Sequence, residues 1–370
     1  MLRVPGPARL SRLFSRRYDQ ARRRFVAAAM RAGSGWQHAR LDHPLTGPAG
    51  EPLSLDYAWL GRADARRVLV TQSATHGVEG FAGSALQIDH MLRPKAPLSG
   101  ELAVLHIHAL NPHGFAWLRR VNEDGVDLNR NFVDFSLALP VNPDYDRVRE
   151  ALLPPDSAAW PDACRELVAL RRELGSDRFE RAVSGGQYQD PAGMFYGGTG
   201  ATWSRRALES LFDECKLGTR ERIVVVDFHT GLGPFGYGEI ICDHPPGSMG
   251  ATSARRWFGD SVTEPALGTS SSVPKEGLVD YAWQRAFGDQ VCFVTLEFGT
   301  YSFQSMLDAL RADHWWYAYG PGATVSASEA SASMRRHFDP DSQAWREAVI
   351  FRGRQVLRQA TAGLMEDRRQ

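Results

Sequence analysis

Four runs of strand length, almost wholly apolar, constrain what this chain can fold into more than any other feature. They are RVLVTQ at 67–72, LAVLHIHAL at 102–110, IVVVDF at 223–228 and VCFVTLEF at 291–298. A run that is apolar on both of its alternating faces belongs in a sheet buried on both sides, the usual state of a parallel sheet covered by helices. Residues 81–92, between the first two runs, carry helical spacing, so the pattern opens as β-α-β. The expected fold class is therefore α/β: three layers, α/β/α, around a central mixed, largely parallel sheet.

The rest of the chain divides around that frame. In RRYDQARRRFVAAAMR (16–31), Tyr18, Ala21, Phe25, Ala28 and Ala29 recur at helical spacing and Gly33 ends the helix. Residues 38–51 are rich in Pro and Gly and read as a connector into a strand at 53–60. This predicts a basic amphipathic helix with its connector over 1–45. A single domain follows over 46–370, with an insertion at about 136–200 and a helical extension at about 301–370 that includes a helix over 342–364.

Charge and composition exclude several classes. Lys+Arg and Asp+Glu both number 43, so there is no global positive field for nucleic acid or a membrane surface. The arginine-rich start lacks the apolar run and cleavage site of a secretory signal, and reads as the solvated face of the first helix rather than as a transit peptide or a site for an anionic partner. No stretch of about 18 apolar residues is available to span a bilayer, and the expected location is cytoplasmic. Cys164, Cys215, Cys242 and Cys292 are scattered with no Cys-x-x-Cys pair, which points to reduced thiols.

Polar chemistry stands just past the apolar runs, where open α/β sheets place their ligands. The first run leads into SATHGVEG, with His76 and Glu79; the third leads into His229 and the glycine-rich TGLGPFG. Two imidazoles and one carboxylate make a three-ligand set that leaves a metal one position for water. His-x-x-Glu alone arises easily by chance as a surface pair. The second run, however, leads into NPHGFAWLRRVNEDGVDLNRNF (111–132), dense in arginines, amides and glycines. Glu297, at the end of the fourth run, is expensive to bury without a partner; its bland alternative is a salt bridge at the sheet rim.

In order, His-x-x-Glu, Asn-Pro-x-Gly, Arg-x-Asn, GVDLNRNF, a later His after a strand and a late Glu resemble the zinc carboxypeptidase-like (M14) superfamily over residues 71–300. THGVEG, DLNRNF, DFHTGLG and TLEFGT together resemble its bacterial DUF2817 branch. The resemblance implies one Zn2+ per chain, held by His76, Glu79 and His229, with Glu297 as the general base that serves water and then the leaving nitrogen. It implies Arg120 as the arginine that stabilises the oxyanion. Arg119 competes for that place, and one of the two should be an ordinary surface arginine. Asn129 and Arg130 would hold a substrate carboxylate, a task that suits the guanidinium fork. Asp127 would either orient His76 or serve as a turn aspartate.

One segment departs from the family pattern. The Gly-Ser-x-Asp-Trp motif and its upstream tyrosine are replaced by SSSVPKEGLVDYAW (270–283), so Tyr281, or else Tyr196 or Tyr237, is the candidate for closing the site. The implied activity is hydrolysis of an amide bond beside a carboxylate, metallocarboxypeptidase-like, on a small peptide. The alternatives are an N-acyl amino acid deacylase, similar to the aspartoacylase and succinylglutamate desuccinylase branch, and a non-catalytic carboxylate-binding module. No nucleic-acid or membrane partner is implied, and the oligomeric state stays open.

The remaining polar residues read as structural. His106 and His108 share one strand face, as a hydrogen-bonded pair or as the start of an amidohydrolase metal site on another fold. His113 and His244 read as ordinary loop histidines. Gly231, Gly233 and Gly236 lack the Lys-Ser/Thr of a phosphate loop and suit tight turning beside His229.

Overall fold

A computed structural model of the chain describes residues 10–93, 99–320 and 326–366. The four apolar runs become the middle of an eight-stranded sheet. Its strands are β1 (Gln37–Thr46), β2 (Pro52–Leu60), β3 (Arg67–Ser73), β4 (Leu102–His108), β5 (Arg222–Gly231), β6 (Gly238–Ile241), β7 (Val262–Thr263) and β8 (Val291–Gly299), in the order β1-β2-β4-β3-β5-β8-β6-β7. The central strands β4, β3, β5 and β8 run parallel, while β1, β2 and β6 pair antiparallel toward the edges. The sheet is mixed, as expected, with its parallel part where the sequence is most apolar.

Strand alternation builds the two faces. Leu69, Val104, Val224 and Val226 face one core with the helices Tyr18–Ala29, Gly80–Leu92, Met249–Phe258 and Gln343–Glu366. Val68, Val70, Leu105 and Val225 face the other, with the helices Trp203–Glu214 and Asp280–Phe287. Burial on both sides is why these runs carry apolar residues at successive positions. The first helix buries the five residues its spacing picks out. A third cluster joins the helices Tyr145–Leu152, Trp160–Leu174 and Ser176–Ser184 of the 136–200 segment to the Phe303–Tyr319 helix.

The stretch expected to be a connector is instead the edge strand β1, which crosses the boundary expected at residue 45. Pro44 is tolerated because β1 pairs on one side only and its register with β2 shifts between Asp42 and Thr46. Among the described residues, no helix is long and apolar enough to cross a membrane.

Candidate metal centre and its cavity

The carboxyl ends of the parallel strands gather the polar motifs on one edge of the sheet. After β3 the chain turns through Ala74 in the left-handed region (φ 59°) and delivers His76 and the Gly77–Glu79 turn. After β4, the Asn111 side chain accepts the Gly114 N–H at 2.8 Å and caps the short helix Pro112–Trp117, which a left-handed Leu118 terminates. The two loops then clasp. The Gly77 and Val78 N–H groups donate to the carbonyls of Arg120 and Arg119 at 3.2 and 2.9 Å. A Cβ on Gly77 would fall 2.0 Å from the Gly114 carbonyl carbon, so this contact needs glycine. Asn-Pro-x-Gly therefore serves as the platform on which His-x-x-Glu is set.

His229 lies near the end of β5, directly opposite Glu297 of β8 in the parallel ladder. His76, Glu79 and His229 are buried, and each offers one ligand atom within 4.8 Å of the others. Glu79 Oε2 accepts the Thr230 N–H at 3.0 Å and lies 3.3 Å from His229 Nδ1. The opposite ring nitrogen of His229 donates to Asp227 at 2.7 Å, and Asp227 in turn accepts the Thr75 hydroxyl at 2.8 Å. A carboxylate behind an imidazole fixes its tautomer and direction. Sequence reasoning missed Asp227 and Thr75, although alternation places Asp227 on the same strand face as His229.

The donor set fits a divalent metal. His76 Nδ1 is buried 3.3 Å from Asp127 Oδ1 without hydrogen-bond geometry, an orphaned nitrogen beside a carboxylate and a second imidazole. Burial and the Arg120 charge pull His76 down to about 4, which leaves its ring neutral and able to ligate. Burial also opposes charge on His229, but Asp227 and Glu79 outweigh it and hold that imidazole well above its ordinary range. A bound cation must displace that proton. Burial works to raise Glu79, and His76, His229 and Arg120 together bring it below the usual carboxylate range. Glu297 goes the other way, pushed up to about 8 by burial and by the charge of Glu79.

Arg120 is the arginine that reaches this site. Its guanidinium donates to Asp127 at 2.9 Å, Glu79 at 3.2 Å and His76 Nε2 at 2.7 Å. Arg119 does not lie on the surface: it is buried, donates to Asp313 at 3.0 Å and stacks 3.4 Å from the Tyr317 ring centroid. Both arginines are thus consumed by the interior, one by the site and one by the helix beyond it. Asp127 is the turn aspartate, since Oδ1 accepts the Asn129 N–H, and its Oδ2 accepts from Arg120; His76 lies 3.3 Å away without a hydrogen bond to it.

Asn129 and Arg130 line the same cavity but differ in what they offer. Asn129 Oδ1 accepts the Val279 N–H at 2.8 Å, which leaves its NH2 as a free donor. The Arg130 fork is already engaged, with Nε and Nη2 on the Ser184 carbonyl and Nη1 on the Asn129 carbonyl. Gly186 and Gly277 have positive φ and clear the space this arginine fills. Two-point capture of a carboxylate by Arg130 would require these bonds to exchange.

The tyrosines stand elsewhere. The Tyr281 hydroxyl donates to the Lys275 carbonyl at 3.1 Å, Tyr196 is buried with its carbonyl on the Asp127 N–H, and Tyr237 is about half exposed; none of the three lines the cavity. The wall is completed by residues the motifs did not announce: Glu180, Ser184 and Phe195 from the 136–200 segment, and Asp243, Lys275 and Phe338. Burial, with Arg130, lowers Lys275 to about 8, and burial raises Asp243 to about 6. Phe195 is held at φ 56°, left-handed like Ala74 and Leu118 in the loops beside it.

His106 and His108 belong to the core behind the sheet. His106 meets Thr71 and His90 and stacks on Trp36; His108 meets Ser84 and stacks on Phe25. His244 accepts the Phe293 N–H at 2.9 Å, and the glycines after His229 take positive φ as expected. The four cysteines are free.

Fold and site together define an α/β protein with a candidate His-Glu-His metal centre at the carboxyl ends of its parallel strands. The chain belongs to the family described as "Protein of unknown function (DUF2817)", whose model matches residues 14–352. No curated protein matches the chain. Similar solved structures include bovine thrombin-activatable fibrinolysis inhibitor, at 10% identity over 93% of this chain and 98% of the other, TM-score 0.43. An aspartoacylase family protein of Mesorhizobium loti is similar at 15% identity over 77% and 67%, TM-score 0.36. The succinylglutamate desuccinylase of Chromobacterium violaceum is similar at 16% identity over 86% and 74%, TM-score 0.35.

Proposed function

We propose that this protein is a zinc-dependent hydrolase that cleaves an amide bond next to a carboxylate, in the manner of a metallocarboxypeptidase. The observation that carries this reading is one cavity lined at once by His76, Glu79, His229, Glu297, Arg120 and Asn129. Zinc held by His76, Glu79 and His229 would supply Lewis acidity toward a carbonyl and lower the pKa of water. Glu297, ionised, takes the proton of the attacking water and returns it to the leaving nitrogen; burial and the charge of Glu79 raise its pKa to about 8, and a cation held by His76, Glu79 and His229 would favour the ionised form. Arg120, held in place by Asp127 and Glu79, offers its charge to the oxygen on which negative charge develops. The Asn129 amide donates to the substrate carboxylate, and Arg130 adds a fixed positive charge behind it.

A second reading, N-acyl amino acid deacylase, draws support from the cavity's wall. Glu180, Ser184 and Phe195 of the 136–200 segment line one side of it, an enclosure that suits a small amino acid conjugate better than an extended peptide. The reading as a non-catalytic carboxylate-binding module leaves the buried Glu297 without a purpose. The test is turnover by the zinc-loaded protein on matched peptides and N-acyl amino acids, each with its carboxylate free or amidated. Release of a C-terminal residue from free-carboxylate peptides supports the peptidase, and release of a short acid supports the deacylase. Tight carboxylate binding with no turnover on either series would overturn the hydrolase.

A further inference from the structure

The catalytic cavity leaves unused a second concentration of charge, in a cleft of about 660 Å³ where the N-terminal segment meets the last helices. Six arginines line it: Arg12, Arg16, Arg24, Arg335, Arg336 and Arg346. Only two carboxylates answer them, in a chain whose acidic and basic residues are otherwise equal in number. Both are already matched, Asp339 to Arg335 and Asp341 to Arg346 at 2.9 Å. Arg335 also donates to the carbonyls of Ser15 and Arg16 at 2.9 Å each, and Arg24 to the Phe14 carbonyl at 3.0 Å. These bonds pin the N-terminal segment onto the Ala327–Phe338 helix and shape the cleft.

What remains is positive charge without a counterpart. Arg12, Arg16 and Arg336 are exposed at the cleft and have no ion-pair partner among the described residues. The Nε of Arg346 is buried with no hydrogen-bond partner. Like charges gathered in a concavity repel one another and focus potential, so the arrangement is stabilised by an anion that bridges them. Guanidinium groups pair with phosphate through two parallel N–H···O bonds, and several forks around one hollow suit a ligand with several oxyanion groups. The arginine-rich start, read from sequence as a solvated helix face, thus contributes Arg12, Arg16 and Arg24 to the lining of this cleft.

We propose that this cleft binds a compact anion carrying two or more phosphate groups, either a free polyphosphate or the headgroup of an anionic lipid. The test uses the full chain and its R12A/R16A/R336A variant, with circular dichroism to establish that both are folded. Inorganic pyrophosphate is titrated calorimetrically, and sedimentation is measured with phosphatidylcholine vesicles with and without cardiolipin, whose headgroup carries two phosphates. The expected result is saturable binding by the wild type that weakens at least about tenfold in the variant and weakens with added salt. Pyrophosphate binding identifies a free ligand; binding confined to cardiolipin vesicles and lost in the variant places the phosphates on a lipid. Binding unchanged in the variant, or none to either probe, would overturn the site. Because the readout is binding, the outcome stands apart from the fate of the hydrolase reading.

Discussion

At the scale of single residues, the proposed chemistry turns on Glu297, whose surroundings in the fold are closely defined. One of its oxygens accepts the Leu232 N–H at 3.0 Å, its strand neighbour in the ladder is His229, and burial with Glu79 raises its pKa to about 8. Glutamine has the same shape and can neither accept nor return a proton. Glu297→Gln should therefore keep bound metal and thermal stability while losing about 10²- to 10⁴-fold in kcat/KM. Steady-state kinetics beside elemental analysis would check this, and wild-type turnover in the variant would remove Glu297 from the mechanism. Asp227 shows how a residue escapes notice in a sequence: it is embedded in an apolar run, and only the contact to His229 gives it meaning.

At the scale of elements, the site depends on loops that are fitted to one another. The Gly77 turn rests on the Gly114 backbone so closely that Gly77→Ala must separate them. Overpacking of this kind costs about 1–3 kcal/mol, and because the turn carries His76 and Glu79, the same variant should also bind metal more weakly. A melting curve with a metal assay checks both, and an unchanged Tm with full metal would contradict the clasp. Just past β6, His244 ties its loop to β8 as a neutral acceptor of the Phe293 N–H, and burial lowers its pKa to about 4. Between an unfolded pKa of about 6.5 and that value, the unfolded state binds the extra proton. The contribution of His244 is therefore complete above that window and lost as pH falls through it. His244→Gln keeps an acceptor without a titration, so its urea midpoint should decline less than that of wild type between pH 6.5 and 4; parallel declines would exclude this role.

At the scale of the whole molecule, legibility followed burial. The runs that became β3, β4, β5 and β8 were readable because both of their faces are covered, and the metal-centre candidates because they sit at the ends of those runs. Strand β1 was not, since an edge strand tolerates the Pro and polar residues that also mark connectors, and β6 and β7 are too short to show a period. The far wall was illegible for a different reason: Glu180, Asp243 and Lys275 come from three separate segments and meet only in the folded chain. The arginine cleft likewise joins the two ends of the sequence. The central claim, that His76, Glu79 and His229 hold a catalytic metal, is tested most directly by elemental analysis of the purified wild type and His229→Ala in parallel. The account predicts close to one zinc per chain in the wild type and a sharp loss in the variant. A well-folded wild type that contains little metal and cannot be reconstituted with zinc would contradict it.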